Sequence, residues 1–332
     1  MTANQLINEE SEASEQYKKV SIILLLLTGI FFGTIPIFAT IMGDLGFYVI
    51  EQVFIRLMIS AIIGTSIIGF FMLRRKNLIS NVDNKNQWKF TFALAIILIF
   101  MIHVYLLAIA FAIHVGEAAL LIQIQVPVTI ILSALLFKEK IMRKEVLAIG
   151  SAISGIIILT HPWTLDEFGS SLLGSIFAIF NGILYSFYLI TSKLEARNSE
   201  EVTHQLKTPM QAFFQLMLIL SIAGILNCCL TLVIGNALED TTIGVLRSSS
   251  FRSVDFWFYG MLLSVVSTIV PYGIIAWTAQ HVSGSQMALL LLMEPISAGI
   301  IGWIILSQPI TIYYLFGGIF IFLAVWLVSK GD

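Results

Sequence analysis

Ten stretches of this chain stay apolar for about 20 residues, the length an α-helix needs to cross the hydrocarbon core of a bilayer, and no other feature limits the fold so strongly. They run near 20–42, 48–73, 89–112, 116–137, 144–161, 169–192, 209–235, 256–279, 285–306 and 309–329. Each is continuous, whereas the strands of a membrane barrel alternate in polarity over roughly ten residues. An all-α membrane protein follows. Charged residues make up only 11% of the chain, against about 25% in a soluble domain, too few for a surface that faces water everywhere. The net charge of −2 offers no basic field to nucleic acid.

Residues 1–17 are polar and acidic, with Glu9, Glu10, Glu12 and Glu15. They lack the basic start and small-residue cleavage site of a secretory signal, and read as a disordered cytoplasmic tail. Lysine and arginine accumulate in cytoplasmic loops. With the N-terminus inside, 15 of the 18 basic residues fall on the inner side, Lys76 and Lys207 among them. Only Arg247 and Arg252 fall outside, near Asp240, and Arg56 lies within a span. The expected location is the cell membrane, crossed many times, with both termini cytoplasmic. Cys228 and Cys229 are helical neighbours, which cannot form an unstrained disulfide.

Two stretches resemble each other at an offset of about 168 residues. Glu117 to Pro127, an apolar run, Lys138-Glu139-Lys140 and a glycine-containing span match Ser285 to Pro295, an apolar run, Ser307-Gln308-Pro309 and another such span. Pro127 pairs with Pro295 and Gly150 with Gly318. Five spans per half give the halves opposite orientations, the inverted-repeat plan of many secondary transporters. The expected units are residues 18–162 and 163–332, joined through His161 to Phe168.

The residues around Arg56 (Phe54 to Ala61), the run from Leu106 through Pro127, and the stretch from Pro271-Tyr272 through Glu294-Pro295 to Trp303 carry a further resemblance. The chain is similar to EamA-type members of the drug/metabolite transporter superfamily over nearly its whole length after the tail. That resemblance implies ten helices in two inverted five-helix repeats around a central substrate cavity. It also implies a cargo among amino acids, metabolites or drugs, often moved outward. The family commonly places an acid just after each repeat's fourth helix. Glu139 fits, but Gln308 stands at the second position. The tail and the loop from Asn236 to Asp255 exceed the family plan.

Polar groups inside spans face a protein interior or a wet cavity, because hydrocarbon excludes them. Glu294, in an apolar run beside Pro295, reads as a coupling or gate residue that exchanges a proton, or as half of a structural ion pair with Arg56. Arg56 is also a candidate contact for an anionic group. His103 can titrate near neutral pH or bond a neighbouring helix. Gln123 and Pro127 lie four apart, on one face of the fourth span. Asn181, Tyr185, Tyr188 and Ser192 form a stripe at helical spacing, suited to an amphipathic ligand or, near the inner end, to an interfacial aromatic belt. Tyr272 and Trp277 complete the candidate substrate-binding set.

No phosphate-cradling glycine motif, no nucleophile elbow and no metal-ligand spacing occurs in the sequence. The expectation is a secondary transporter working by alternating access, with a small-molecule substrate and the lipid bilayer as partners and no cofactor. The rival is a membrane-embedded enzyme acting on a lipid or isoprenoid, which would need several acids or histidines converging on one side.

Overall fold

A computed structural model of the chain describes residues 3–74, 85–111, 121–140, 142–160, 172–203, 206–234, 246–307, 310 and 312–329. Helices dominate, and no strand occurs among the described residues. In chain order they are α1 (Ala3–Phe32), α2 (Thr34–Asp44), α3 (Val49–Arg74), α4 (Lys85–Phe111), α5 (Gln125–Phe137), α6 (Arg143–Thr160) and α7 (Leu172–Thr203). The remainder are α8 (Pro209–Ile234), α9 (Val254–Ser264), α10 (Val270–Thr278), α11 (Gly284–Leu290), α12 (Met293–Leu306) and α13 (Ile312–Ser329).

Seven described helical segments are long and apolar enough to cross a membrane. Four of them are Val49–Leu73, Gln87–Phe111, Leu172–Glu201 and Pro209–Thr231. The others combine two helices each: α1 with α2, α9 with α10, and α11 with α12. α5 and α13 are apolar but shorter, and α6 opens on Arg143, Lys144 and Glu145. Seven of the ten expected spans thus have a described segment long and apolar enough to cross; α5, α6 and α13, which lie in the other three, do not meet that length and composition. The expected linker 161–168, Lys76, Asp240 and Gln308 lie outside the described residues.

One expectation needs correcting. α1 begins at Ala3, so residues 3–17 continue a helix instead of forming a disordered tail. Their stretch Ala3 to Tyr17 holds no Gly or Pro and is rich in Glu, Gln, Leu and Ala, which favour helix.

The surface is inverted relative to a soluble protein. Leu73, Leu135, Leu172 and Ile304 stand on the outside, while Arg56, Glu294, Asn181 and Gln125 are buried. The helices pair as α6 with α13, α4 with α7, α3 with α8, and α1 with α10 and α12. α5 packs on α7 and α11, and α3 also packs on α9. Glycines allow the closest approaches: a Cβ on Gly224 would meet Leu57 and Ala61, and one on Gly33 would meet Ser297 and Ala298.

Three segments are broken. α1 gives way to α2 at Gly33, where the chain lies against α12. Between α9 and α10 a π-helical turn spans Val265–Ile269, ahead of Pro271, whose ring cannot accept a regular i−4 carbonyl. α11 and α12 are separated at Leu291 and Leu292, ahead of Pro295. The start of α5 repeats this last break. The carbonyl four residues before each proline is taken by the N–H just before it: Val126 donates to Gln123 at 3.0 Å, and Glu294 donates to Leu291 at 3.0 Å. α5 ends on Lys138 (φ 54°) and α12 on Ser307 (φ 55°), the non-glycine residues of positive φ among those described.

Candidate functional site

The two ends of the bundle differ in charge. One end, called here the basic end, carries Lys138, Lys140, Lys193, Arg197 and Lys207; the opposite end carries Asp44, Glu51, Arg247 and Arg252. Between them, where the three breaks converge, lies a cavity. Phe32, Ile35, Arg56, Met101, Ile102, Tyr105, Asn181, Tyr185, Tyr272 and Glu294 line it, from α1, α2, α3, α4, α7, α10 and α12. Its free space is about 20 Å³, room for about one water molecule.

Each polar member is positioned by an identifiable local cause. Pro271 leaves the Ser267 carbonyl without its helical partner, and Arg56 Nη2 donates to that carbonyl at 3.0 Å. Arg56 Nε donates to Thr268 Oγ1 at 2.7 Å, from the same π-helical turn. Ser267 Oγ in turn shares a hydrogen bond with Thr34 Oγ1 at 2.7 Å, at the start of α2. The guanidinium is thus fully buried, fixed along one edge.

Glu294 lies in the first turn of α12, where the positive end of a helix dipole favours a carboxylate. The Tyr105 hydroxyl donates to its Oε1 at 3.5 Å, the outer limit of a hydrogen bond. No ion pair joins Arg56 to Glu294 among the described residues. The direct pair weighed from sequence is absent; the two charges share a cavity without touching. A buried charge without an oppositely charged partner is costly; Arg56 is compensated by Thr268 and the Ser267 carbonyl, Glu294 by the long contact from Tyr105.

Asn181 Nδ2 donates to the Met101 carbonyl at 2.7 Å, fixing α7 to α4. The Tyr185 hydroxyl, one turn on, is buried with no partner among the described residues. Its ring meets Phe32 edge-on at 5.9 Å, Phe32 meets Tyr272 at 5.1 Å, and Tyr272 meets Tyr188 at 5.0 Å. These rings floor the cavity on the side of the basic end. Tyr188 is buried in that floor and does not stand in an interfacial belt.

The structure therefore brings together Arg56, Asn181, Tyr185, Tyr272 and Glu294. It places the other candidates elsewhere. His103 Nδ1 lies 2.9 Å from the Ile99 carbonyl of its own helix. Gln123 is 3.5 Å from Gln125, and Pro127 sits in the first turn of α5. Trp277 lines a separate apolar groove with Leu24, Phe213 and Ile274, and packs against His281 at 5.0 Å. Burial holds the His281 imidazole below its ordinary pKa. Tyr105 was not among the candidates, nor were the apolar members of the lining. Helical geometry puts Tyr105 on the far side of α4 from His103, the polar residue that drew attention to that span.

A second cavity, of about 280 Å³, opens toward the opposite end, lined by Ala39, Thr40, Asp44, Gln52, Leu106 and Ile109 among others. Ile35 leads to Ala39, Ile102 to Leu106 and Tyr105 to Ile109, each one turn along its helix. This vestibule thus lies directly above the central cavity.

Residues 19–161 match the EamA-like transporter family. The chain is similar to an uncharacterized transporter of Archaeoglobus fulgidus, 26% identical over 204 residues, 61% of this chain and 63% of that protein. The alignment thus spans less than two thirds of the relative's length. A protein known by its crystal structure shares the fold with a TM-score of 0.68 at 12% identity, over 93% of this chain and 96% of that one.

Proposed function

We propose, from the premise that residues 19–161 belong to the EamA-like transporter family, that this chain is a secondary transporter working by alternating access. Its cargo is a small amphipathic molecule that carries both charge signs, such as an amino acid with an apolar side chain. The observation that carries this reading is that Arg56 and Glu294 line one buried cavity with no ion pair between them among the described residues. A carboxylate of the cargo would meet Arg56, its ammonium group Glu294, and its apolar part Phe32, Ile35, Met101 and Ile102. The free Tyr185 hydroxyl is available as a further hydrogen-bond partner.

The architecture we propose is ten spans in two inverted five-helix repeats, residues 18–162 and 163–332. The equivalent breaks before α5 and α12, at the 168-residue offset, support it. Helix pairing supports it too. Advancing every span by five exchanges the α4–α7 pair with the α1–α10 pair, and leaves α6 with α13 and α3 with α8 unchanged. The basic end is the cytoplasmic one, and export is the direction we favour, with protons exchanged at Glu294.

Transport is tested with purified full-length protein in proteoliposomes, using labelled amino acids, nucleosides and cationic drugs chosen by a thermal-shift screen. Uptake of a zwitterion is expected, reduced at least about tenfold by Tyr185→Phe or Asn181→Ala with normal yield and monodispersity, a change of about 1.4 kcal/mol. Transport per folded molecule unchanged in both variants would remove the cavity from the mechanism.

A further inference from the structure

At the basic end of the bundle one group of side chains ties several elements together. At the basic end Glu139, just past α5, accepts from Lys193 of α7, from Ser133 of α5 and from the Gly284 N–H at 3.1 Å. Lys193 Nζ also donates to the Val282 carbonyl at 2.8 Å and lies over the Phe137 ring at 5.1 Å. One ion pair thus ties the end of α5, the inner length of α7 and the segment between α10 and α11. Next to it Glu195 accepts from Lys207 and Gln87. The Gln280 side chain clasps the Lys207 backbone, 2.9 Å to its N–H and 2.9 Å to its carbonyl.

The opposite end has a pair of its own, the buried Glu51 with Arg247, which ties the start of α3 to the segment before α9. Among the described residues, however, no ion pair stands at the positions that match Lys193 and Glu139 in the other half. Gly182 seats α7 on the break before α5, and a Cβ there would meet the Ile122 carbonyl and the Gln125 N–H. Gly29 seats α1 on the matching break before α12, against Met293 and Glu294. About three turns beyond Gly182 stands Lys193; about three turns beyond Gly29 stands Thr40. Glu139 follows the left-handed Lys138, and the left-handed Ser307 is followed in sequence by Gln308. In sequence both charges of the lock thus have neutral counterparts, Thr40 and Gln308, and Thr40 lines the vestibule at the opposite end.

We propose that the Lys193–Glu139 pair is the latch that holds the basic end shut. This rests on the two-repeat carrier reading above. Converting to the form open at the basic end requires this pair to part, and the latch sets how far the equilibrium must be moved.

The latch is tested by thiol accessibility in the full chain, with Cys228 and Cys229 replaced by Ala. Ala279→Cys reports on the basic end, where Ala279 is fully buried, and Thr40→Cys reports on the vestibule. In Lys193→Met or Glu139→Gln, maleimide labelling at position 279 should rise roughly tenfold while labelling at position 40 falls, a change of about 1.4 kcal/mol in the equilibrium. The exchanged pair Lys193→Glu with Glu139→Lys should return both rates toward the parent. Unchanged labelling at both reporters, or a rise at both, would overturn the latch, since general loosening opens both ends. Failure of the exchanged pair to restore the parent pattern would overturn it too. The readout needs no cargo. Opposite changes in labelling without transport of any solute would leave the latch standing and end the carrier reading.

Discussion

At the scale of single residues, Glu294 carries the largest consequence. Its carboxylate is buried at a helix break, with one long contact from Tyr105 and no ion pair among the described residues. Such a group can hold a proton or a cationic cargo, but not both at once, which is the requirement for exchange. Glu294→Gln keeps the shape and removes the charge. In proteoliposomes this variant should still bind cargo in a thermal-shift assay, while transport loses its response to a pH gradient. A Gln variant that responds as the parent does would show that the proton is exchanged elsewhere. How much of the site could be read from sequence is also a matter of single residues. Arg56, Asn181, Tyr185, Tyr272 and Glu294 stand out because each is polar within an apolar run. Phe32, Ile35, Met101 and Ile102 are indistinguishable from their lipid-facing neighbours, since a helix that is apolar all round shows no preferred face. His103 and Trp277 drew attention for the same reason as Arg56, yet point away from the cavity, and periodicity in such helices cannot tell the two cases apart.

Among the secondary-structure elements, the glycines decide how closely the broken helices seat. A Cβ on Gly182 would run into backbone atoms of Ile122 and Gln125, which cannot swing aside as a side chain could. Gly182→Ala should therefore destabilise the protein by about 1–3 kcal/mol, the usual cost of overpacking. Gly150→Ala, also mid-helix, meets nothing within 4 Å and should be neutral or stabilising by up to about 1 kcal/mol, the gain in helix propensity. Thermal melts of the two variants in detergent check this; equal loss in both would mean that the seat at Gly182 is looser than described. The breaks themselves were only partly legible. Pro127, Pro271 and Pro295 mark theirs in the sequence, whereas the interruption at Gly33 depends on packing against α12, and the bond from Arg56 to the Ser267 carbonyl joins residues far apart in the chain; no local pattern encodes either.

For the whole molecule, the charge asymmetry of the loops predicts an orientation that can be checked directly. Lys140 and Lys207 lie at one end of the bundle and Arg252 at the other. With the native cysteines removed, Arg252→Cys should react with an impermeant thiol reagent in intact cells, and Lys140→Cys only after the cells are opened. The reverse pattern would turn the molecule over, and export with it. The overall class was legible because spans are long and loops bias their charge. The convergence of α1, α3, α4, α7, α10 and α12 on one point was not, because it depends on contacts between residues far apart in the chain.

The central cavity has a consequence for recognition. With about 20 Å³ of free space, it cannot receive an amino acid or any larger solute as a lock receives a key. If the cavity takes the cargo proposed above, its lining must part to admit that cargo and then close around something larger than the gap it left. Discrimination then lies in how well the re-formed shell tolerates its contents, so a cargo that is too bulky is rejected by elastic strain and one that is too small by unfilled space.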